Sequence, residues 1–168
     1  MLGALLTLAR SDRGIGPTEV VDLATAVDDA IELLGPRAAA KQLTIDVSLS
    51  EAQTVGDRVL LERLVTNLLD NAARYNVAGG WIQVKTGSLP DGVQLTVANS
   101  GQQVPSDRVP ELFEPFRRLH DRVGTGPGHG LGLSIVQSVV TAHGGQLTAH
   151  PLPEGGLEIQ VGLPGTRE

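Results

Sequence analysis

Asn67, Asn71 and Arg74 stand four and three residues apart in a stretch rich in leucine. On a helix, at roughly 100° per residue, that spacing lines them in one stripe at the border between an apolar and a polar face. Two carboxamides and a guanidinium held there form a seat for a metal ion and a polyphosphate. Asparagines at a helix edge also hydrogen-bond neighbouring loops, and this stretch alone does not choose. A second candidate lies downstream, where Gly124, Gly126, Gly128, Gly130 and Gly132 alternate just before an apolar helix. Such a run lets backbone N–H groups cradle phosphate, and the helix N-terminus adds a favourable dipole. A flexible loop would show the same glycines. Two common phosphate motifs are excluded. The only lysines are Lys41 and Lys85, so no G-x-x-x-x-G-K-[ST] exists, and Leu133 stands where the last glycine of G-x-G-x-x-G belongs.

These groups need elements to hold them. Asp57 is a good N-cap for the stripe-bearing helix, which should end near Asn76, before Gly79-Gly80. Its apolar face is Leu61, Leu64, Val65, Leu68, Leu69 and Ala72, and Glu62, Arg63, Thr66, Asp70 and Ala73 fall on the solvent face. Other helices are predicted over 24–42, where Gly35-Pro36 introduces a kink or a split, and over 131–142, closed by His143-Gly144-Gly145. A short one is predicted over 110–119. Alternation predicts strands over 18–23, 43–49, 81–86, 93–98, 146–150 and 157–163, with 87–92 as a hairpin loop and Thr54-Val55-Gly56 as a brief segment. Mixed strands and helices with late antiparallel hairpins indicate an α/β fold, a two-layer sandwich of one mixed sheet with helices on one face.

The chain has 168 residues, enough for one domain with a real core. It contains no cysteine, which excludes disulfides and thiolate metal sites and fits a reducing compartment. A net charge of −6 disfavours nucleic acid as a partner. No apolar run approaches the ~20 residues that span a bilayer, so a soluble, cytoplasmic protein is expected. Leu2, Leu5, Leu6 and Ala9 repeat at helical spacing in a segment too short to be a helix alone, and residues 14–17 are a linker by their glycines and proline.

Four segments in order are more specific than any one: Asn67-Leu68-Leu69-Asp70-Asn71-Ala72, then Val97-Ala98-Asn99-Ser100-Gly101, then the Phe113 and Phe116 segment, then Gly128-His129-Gly130-Leu131-Gly132-Leu133. Together they resemble the ATP-binding catalytic domain of bacterial sensor histidine kinases, in the superfamily that also holds gyrase-type, chaperone-type and mismatch-repair ATPases. The resemblance covers about 18–164 and implies the Bergerat ATP-binding fold, with about three helices over the sheet and a catalytic domain spanning 18–165. Residues 1–13 resemble the tail of a dimerisation helix. The resemblance implies ATP and Mg²⁺ as ligands. It implies as partners a dimerisation domain bearing the phosphoacceptor histidine and a cognate response regulator, with a homodimeric, membrane-anchored parent. An anti-sigma-factor-type kinase of the same superfamily, acting on a serine of a partner protein, or a degenerate weak binder, is the alternative.

Matched residue by residue, Asn71 is the Mg²⁺ ligand and Asn67 the second asparagine of its box. Arg74 is a phosphate contact, and Tyr75 the aromatic beside the nucleotide. Gly101 and the run Gly128, His129, Gly130, Leu131, Gly132, Leu133 line the nucleotide, with the glycines closing over phosphate. Asn67, Arg74 and Arg117 stand at the phosphoryl-transfer step, and Arg118 and Arg122 could add charge from the lid. One position departs: Asn99 stands where the family has an aspartate accepting from the adenine amino group, so weaker or relaxed base selection is expected. Hydrolysing relatives carry a glutamate base at the position of Asn67. Asparagine cannot take a proton from water at neutral pH, so γ-phosphate transfer to an outside nucleophile is expected rather than hydrolysis. None of His120, His129, His143 and His150 has the family's phosphoacceptor context, and residues 119–128 should be mobile without nucleotide.

Overall fold

The computed structural model describes residues 15–115 and 131–166. The expectations for residues 1–14 and 116–130, including the dimerisation-helix tail and the mobility of the lid, fall outside them. In order come β1 (Glu19–Asp22), α1 (Leu23–Ala40), β2 (Thr44–Leu49), β3 (Gln53–Gly56), α2 (Arg58–Arg74), β4 (Trp81–Leu89) and β5 (Gly92–Asn99). A 3-10 helix (Ser106–Phe113), α3 (Gly132–Ala142), β6 (Gln146–Pro151) and β7 (Leu157–Pro164) complete the described chain.

Five strands form one sheet in the order β2-β4-β5-β7-β6, parallel between β2 and β4 and antiparallel elsewhere. The strand period of two sends Ile82 and Val84, Val93, Leu95 and Val97, and Leu157, Ile159, Val161 and Leu163 into a core shared with all three helices. Gln83, Lys85, Gln94, Thr96 and Gln160 take the other face, toward water. This is the expected sandwich. It carries one addition: β1 and β3, foreseen as a strand and a brief segment, pair with each other as a separate antiparallel ribbon. The ribbon is tied to the end of the last strand by the Thr54–Gly165 bridge and by Thr54 Oγ1 donating to the Pro164 carbonyl at 2.7 Å.

The central helix of the layer is α2, packed between α1 and α3. Asp57 caps it as expected, accepting from Leu60 N–H at 3.2 Å. Five leucines, at positions 60, 61, 64, 68 and 69, are buried along it. At about 1.5–3 kcal/mol each they contribute on the order of 10 kcal/mol, against about 1 kcal/mol for the cap, so packing fixes this helix. Its position corrects one expectation: Ala73, foreseen on the solvent face, is fully buried. A helix with neighbours on both flanks and a sheet beneath buries a wider arc than one stripe.

Three other boundaries differ. The Gly35-Pro36 pair neither splits α1 nor ends it. Glycine before proline lacks the Cβ that would clash with the ring, and the exposed site leaves the unmatched Glu32 carbonyl open to water. The β4–β5 hairpin is tighter than 87–92: Leu89 pairs with Gly92, leaving only Pro90 and Asp91 in the turn. The short helix foreseen over 110–119 begins earlier, is 3-10 in form and stops at Phe113. Pro115 forces Glu114 into an extended conformation (ψ 136°), which ends it.

Candidate functional site

Helix α2 presents Asn67, Asn71 and Arg74 along one edge, each half-buried. The Nδ2 of Asn67 is buried and has no hydrogen-bond partner among the described residues. A lost partner for a buried donor costs roughly 1–3 kcal/mol, so such an orphan is rarely kept without a use. Arg74 does have a partner: its guanidinium meets Asp70 at 3.2 Å, and Asp70 also pairs with Arg37 from α1. Tyr75, one residue past the helix, is 39% exposed.

The level of α3 against this edge follows from one contact. His143 closes α3, and its Nε2 accepts from the Asp57 N–H at 3.1 Å. Its Nδ1 donates to the Val139 carbonyl at 2.7 Å, which fixes the neutral ring with its proton on Nδ1. The end of α3 therefore lies at the beginning of α2, and the two helices run antiparallel side by side. At about 1.5 Å per residue, the 11 residues of α3 carry its N-terminus back about 16 Å, level with the turn of α2 that holds Asn67 and Asn71. Among the described residues no side chain caps that terminus; Ser134 Oγ turns back to donate to the Leu131 carbonyl at 2.8 Å. The first N–H groups of a helix have no acceptor within the helix itself. Leu131 and Leu133 are buried in the core, and Gly132 sits at the first position with open space where a Cβ would stand. The two leucines thus anchor the start of α3 in the core.

The third element is the end of β5. The register Ile82–Asn99–Leu157 puts the Asn99 side chain on the helix side of the sheet, 5% exposed. Its Nδ2 donates to the Ser100 carbonyl at 2.9 Å, so its oxygen is the group left to accept. Gly101 must be glycine, since a Cβ there would lie 2.7 Å from the Tyr75 carbonyl oxygen. That close approach joins the end of α2 to the end of β5.

Several residues that sequence reasoning missed make this joint. Asn76 accepts from Val77 N–H at 2.9 Å and from Ser100 Oγ at 2.7 Å, and donates to the carbonyls of Ala72 at 3.2 Å and Trp81 at 2.9 Å. All its amide groups are spent on the seam between α2, β4 and β5. Behind Asn99, the β6–β7 turn brings up Gly155 (φ +99°) and Gly156 (φ +102°). A Cβ on Gly156 would collide with the Asn99 carbonyl, and one on Gly155 with the Gly101 carbonyl. The adjacent glycines after Pro153-Glu154 signalled a turn, but not what it leans on. Gly156→Ala should therefore destabilise the protein by about 3 kcal/mol, a fall in Tm of roughly 6–12 °C by thermal unfolding. An unchanged Tm would mean that this turn does not support Asn99.

Asn67, Asn71, Arg74 and Tyr75 thus lie along α2 and just past its end, Gly101 beside Asn99 meets the Tyr75 carbonyl at the end of β5, and Leu131, Gly132 and Leu133 open α3, which packs on α2. Arg117, Gly128, His129 and Gly130 lie outside the described residues.

The sequence description of the histidine kinase-, DNA gyrase B- and HSP90-like ATPases matches residues 56–167, from the start of α2 to the end of the sheet. The chain belongs to that ATPase family. Curated relatives narrow the kind. The sensor protein CutS of Streptomyces coelicolor is 45% identical over 166 residues, 98% of this chain and 40% of its own length. The signal transduction histidine-protein kinase BaeS of Escherichia coli is 39% identical over 150 residues, 88% of this chain and 32% of its own length. A solved mycobacterial sensor histidine kinase, MprB, superposes with a TM-score of 0.79 at 31% identity, covering 90% of this chain and all of that one. Within the ATPase family the chain is a catalytic ATP-binding domain of the sensor-histidine-kinase kind, and it spans 40% or less of the curated relatives quoted. No described helix of this ATPase domain is long and apolar enough to cross a membrane.

Proposed function

We propose that this domain binds Mg-ATP between α2, the end of β5 and the N-terminus of α3, and presents the γ-phosphate to a histidine on a separate dimerisation domain. The observation that supports this most is the Nδ2 of Asn67, buried and orphaned among the described residues, on a turn of α2 that helix rise places level with the N-terminus of α3. Among the described residues the amide has no partner and no side chain caps the helix end, and a triphosphate is a chain of acceptors. Among the described residues no cluster of three His, Cys, Asp or Glu is poised for a metal. A magnesium ion here would take the neutral oxygen of Asn71 and draw its other ligands from phosphate and water, as this hard cation prefers. Bound there, it would offset the negative charge of the phosphates during transfer.

The residues of the chain divide the remaining work. Arg74 would turn between Asp70 and phosphate, and Asn67 would donate to phosphate or to an ordered water. Asn99 Oδ1 would accept from the adenine amino group, its own Nδ2 being held by the Ser100 carbonyl. Gly128, Gly130 and Gly132 would let the lid close, with His129 and Arg117 near the phosphates. Residues 1–13 would be the tail of the dimerisation helix, joined through 14–17 to the catalytic domain at 18–165. The parent protein would be a homodimeric, membrane-anchored kinase acting on a response regulator.

Calorimetry with Mg-AMPPNP tests the site, and labelled ATP with a supplied dimerisation domain tests the reaction. Micromolar to sub-millimolar binding and acid-labile label on that domain are expected. No binding at millimolar nucleotide, or acid-stable label on a partner serine, would overturn the reading. Asn99→Asp should tighten Mg-AMPPNP about fivefold through a charge-assisted bond while lowering Tm, because its second oxygen would face the Ser100 carbonyl. Unchanged affinity would remove Asn99 from the base pocket.

A further inference from the structure

Helix α2 ends one turn beyond Asn71, and a helix end leaves carbonyls that need donors. Here one side chain from another element supplies them. Lys41, in the turn between α1 and β2, donates its Nζ to the carbonyls of Arg74 at 2.7 Å, Ala73 at 2.9 Å and Asn76 at 3.3 Å. Its own carbonyl accepts from Gly79 N–H at 2.9 Å, so the same residue pins the loop that follows. An ammonium has three N–H donors, and all three are matched.

The location is costly. Burial pushes the Lys41 ammonium below the usual lysine range, and the nearby charges of Arg37 and Arg74 push it the same way. Three cations gather at this corner around Asp70, which pairs with both arginines. A cation at a helix C-terminus is favoured by the dipole, which offsets part of that cost. A glycine C-cap would end the helix without burying a charge. What the ammonium adds is a link from α1 to the last turn of α2, the turn that carries Arg74 and adjoins Asn71.

We propose that Lys41 is a positioning residue for the phosphate-binding edge: its ammonium holds the last turn of α2 so that Asn71 and Arg74 meet the phosphates in register. This rests on the Mg-ATP site proposed above. Without the ammonium the last turn frays, Arg74 loses its anchored backbone, and Asn67, two turns inward, stays fixed by the core.

The test is Mg-AMPPNP binding by calorimetry on the wild-type chain, Lys41→Met, Lys41→Cys and a stability control, Val93→Ala. Val93 is buried at the opposite end of β5 from Asn99. The chain has no cysteine, so Lys41→Cys can be alkylated at one site only. Bromoethylamine, applied in mild denaturant before refolding, restores an ammonium at lysine length; bromopropane adds a neutral tail of the same length. Lys41→Met and Lys41→Cys are expected to weaken binding about tenfold, and Val93→Ala to change it less than about twofold. The aminoethyl graft should recover most of the affinity and the propyl graft none. If Lys41→Met does not fold, the two grafts on Lys41→Cys decide alone. Wild-type affinity in Lys41→Met, or equal rescue by both grafts, would overturn the inference and leave the nucleotide site standing. No binding by the wild-type chain would overturn both.

Discussion

Asn71→Ala is expected to remove Mg-dependent nucleotide binding, a loss of about 100-fold or more in calorimetry with Mg-AMPPNP, while Tm changes by only a few degrees. Asn71 is half-buried at the edge of α2, so truncating it opens no core cavity. The structural change is small and the chemical one large: the amide oxygen is the one protein ligand proposed for the cation. Without it the triphosphate would lose the cation that offsets its charge. Nucleotide measured without Mg²⁺ should bind the variant and the parent almost equally. A variant that kept its magnesium-dependent affinity would place the cation elsewhere.

Asn67→Leu is expected to move stability and affinity in opposite directions. Asn67 Nδ2 is a buried donor with no acceptor among the described residues, and leucine is of similar size without the amide. Removing the orphan should stabilise the nucleotide-free protein by about 1–2 kcal/mol, a rise in Tm of roughly 2–8 °C. The same change removes the donor proposed for phosphate or its water, so Mg-AMPPNP binding should weaken about tenfold or more. Thermal unfolding with and without ligand reads both effects in one experiment. A lower Tm in the empty variant would mean that the amide already has a partner. Such opposition is expected where a site keeps groups unsatisfied until the ligand arrives.

Most of the sheet and all three α-helices were legible in the sequence because each has one consistent period. Ile82-x-Val84 and Val93-x-Leu95-x-Val97 alternate cleanly, and α2 repeats its leucines at helical spacing. The misses share a cause: they depend on a neighbour in space. Ala73 is a small residue on a polar-looking face and becomes core because α2 has a neighbouring helix on each flank. Gly87 and Ser88 look like loop and become strand because Gln94 and Val93 supply ladder bonds. The stripe of Asn67, Asn71 and Arg74 was readable from spacing alone. The support behind it was not. Lys41, Asn76, Ser100 and Gly156 are separated along the chain, and nothing in their local pattern says that they meet. Asn99 is intermediate: its place was legible, but the Ser100 carbonyl that orients its amide was not.

The clasp between His143 and Asp57 makes α3 a measuring rod. Its two ends are spoken for, one by the imidazole bond and one, in the proposed site, by the nucleotide, so its residue count becomes a fixed quantity, whereas its apolar composition can drift. Deleting one residue between Gly132 and Ala142 would retract the free tip by about 1.5 Å and swing it by roughly 100°. Conservative exchanges such as Val139→Ile would leave the tip where it is. Evolution within this helix should therefore proceed by substitution and hardly ever by insertion or deletion.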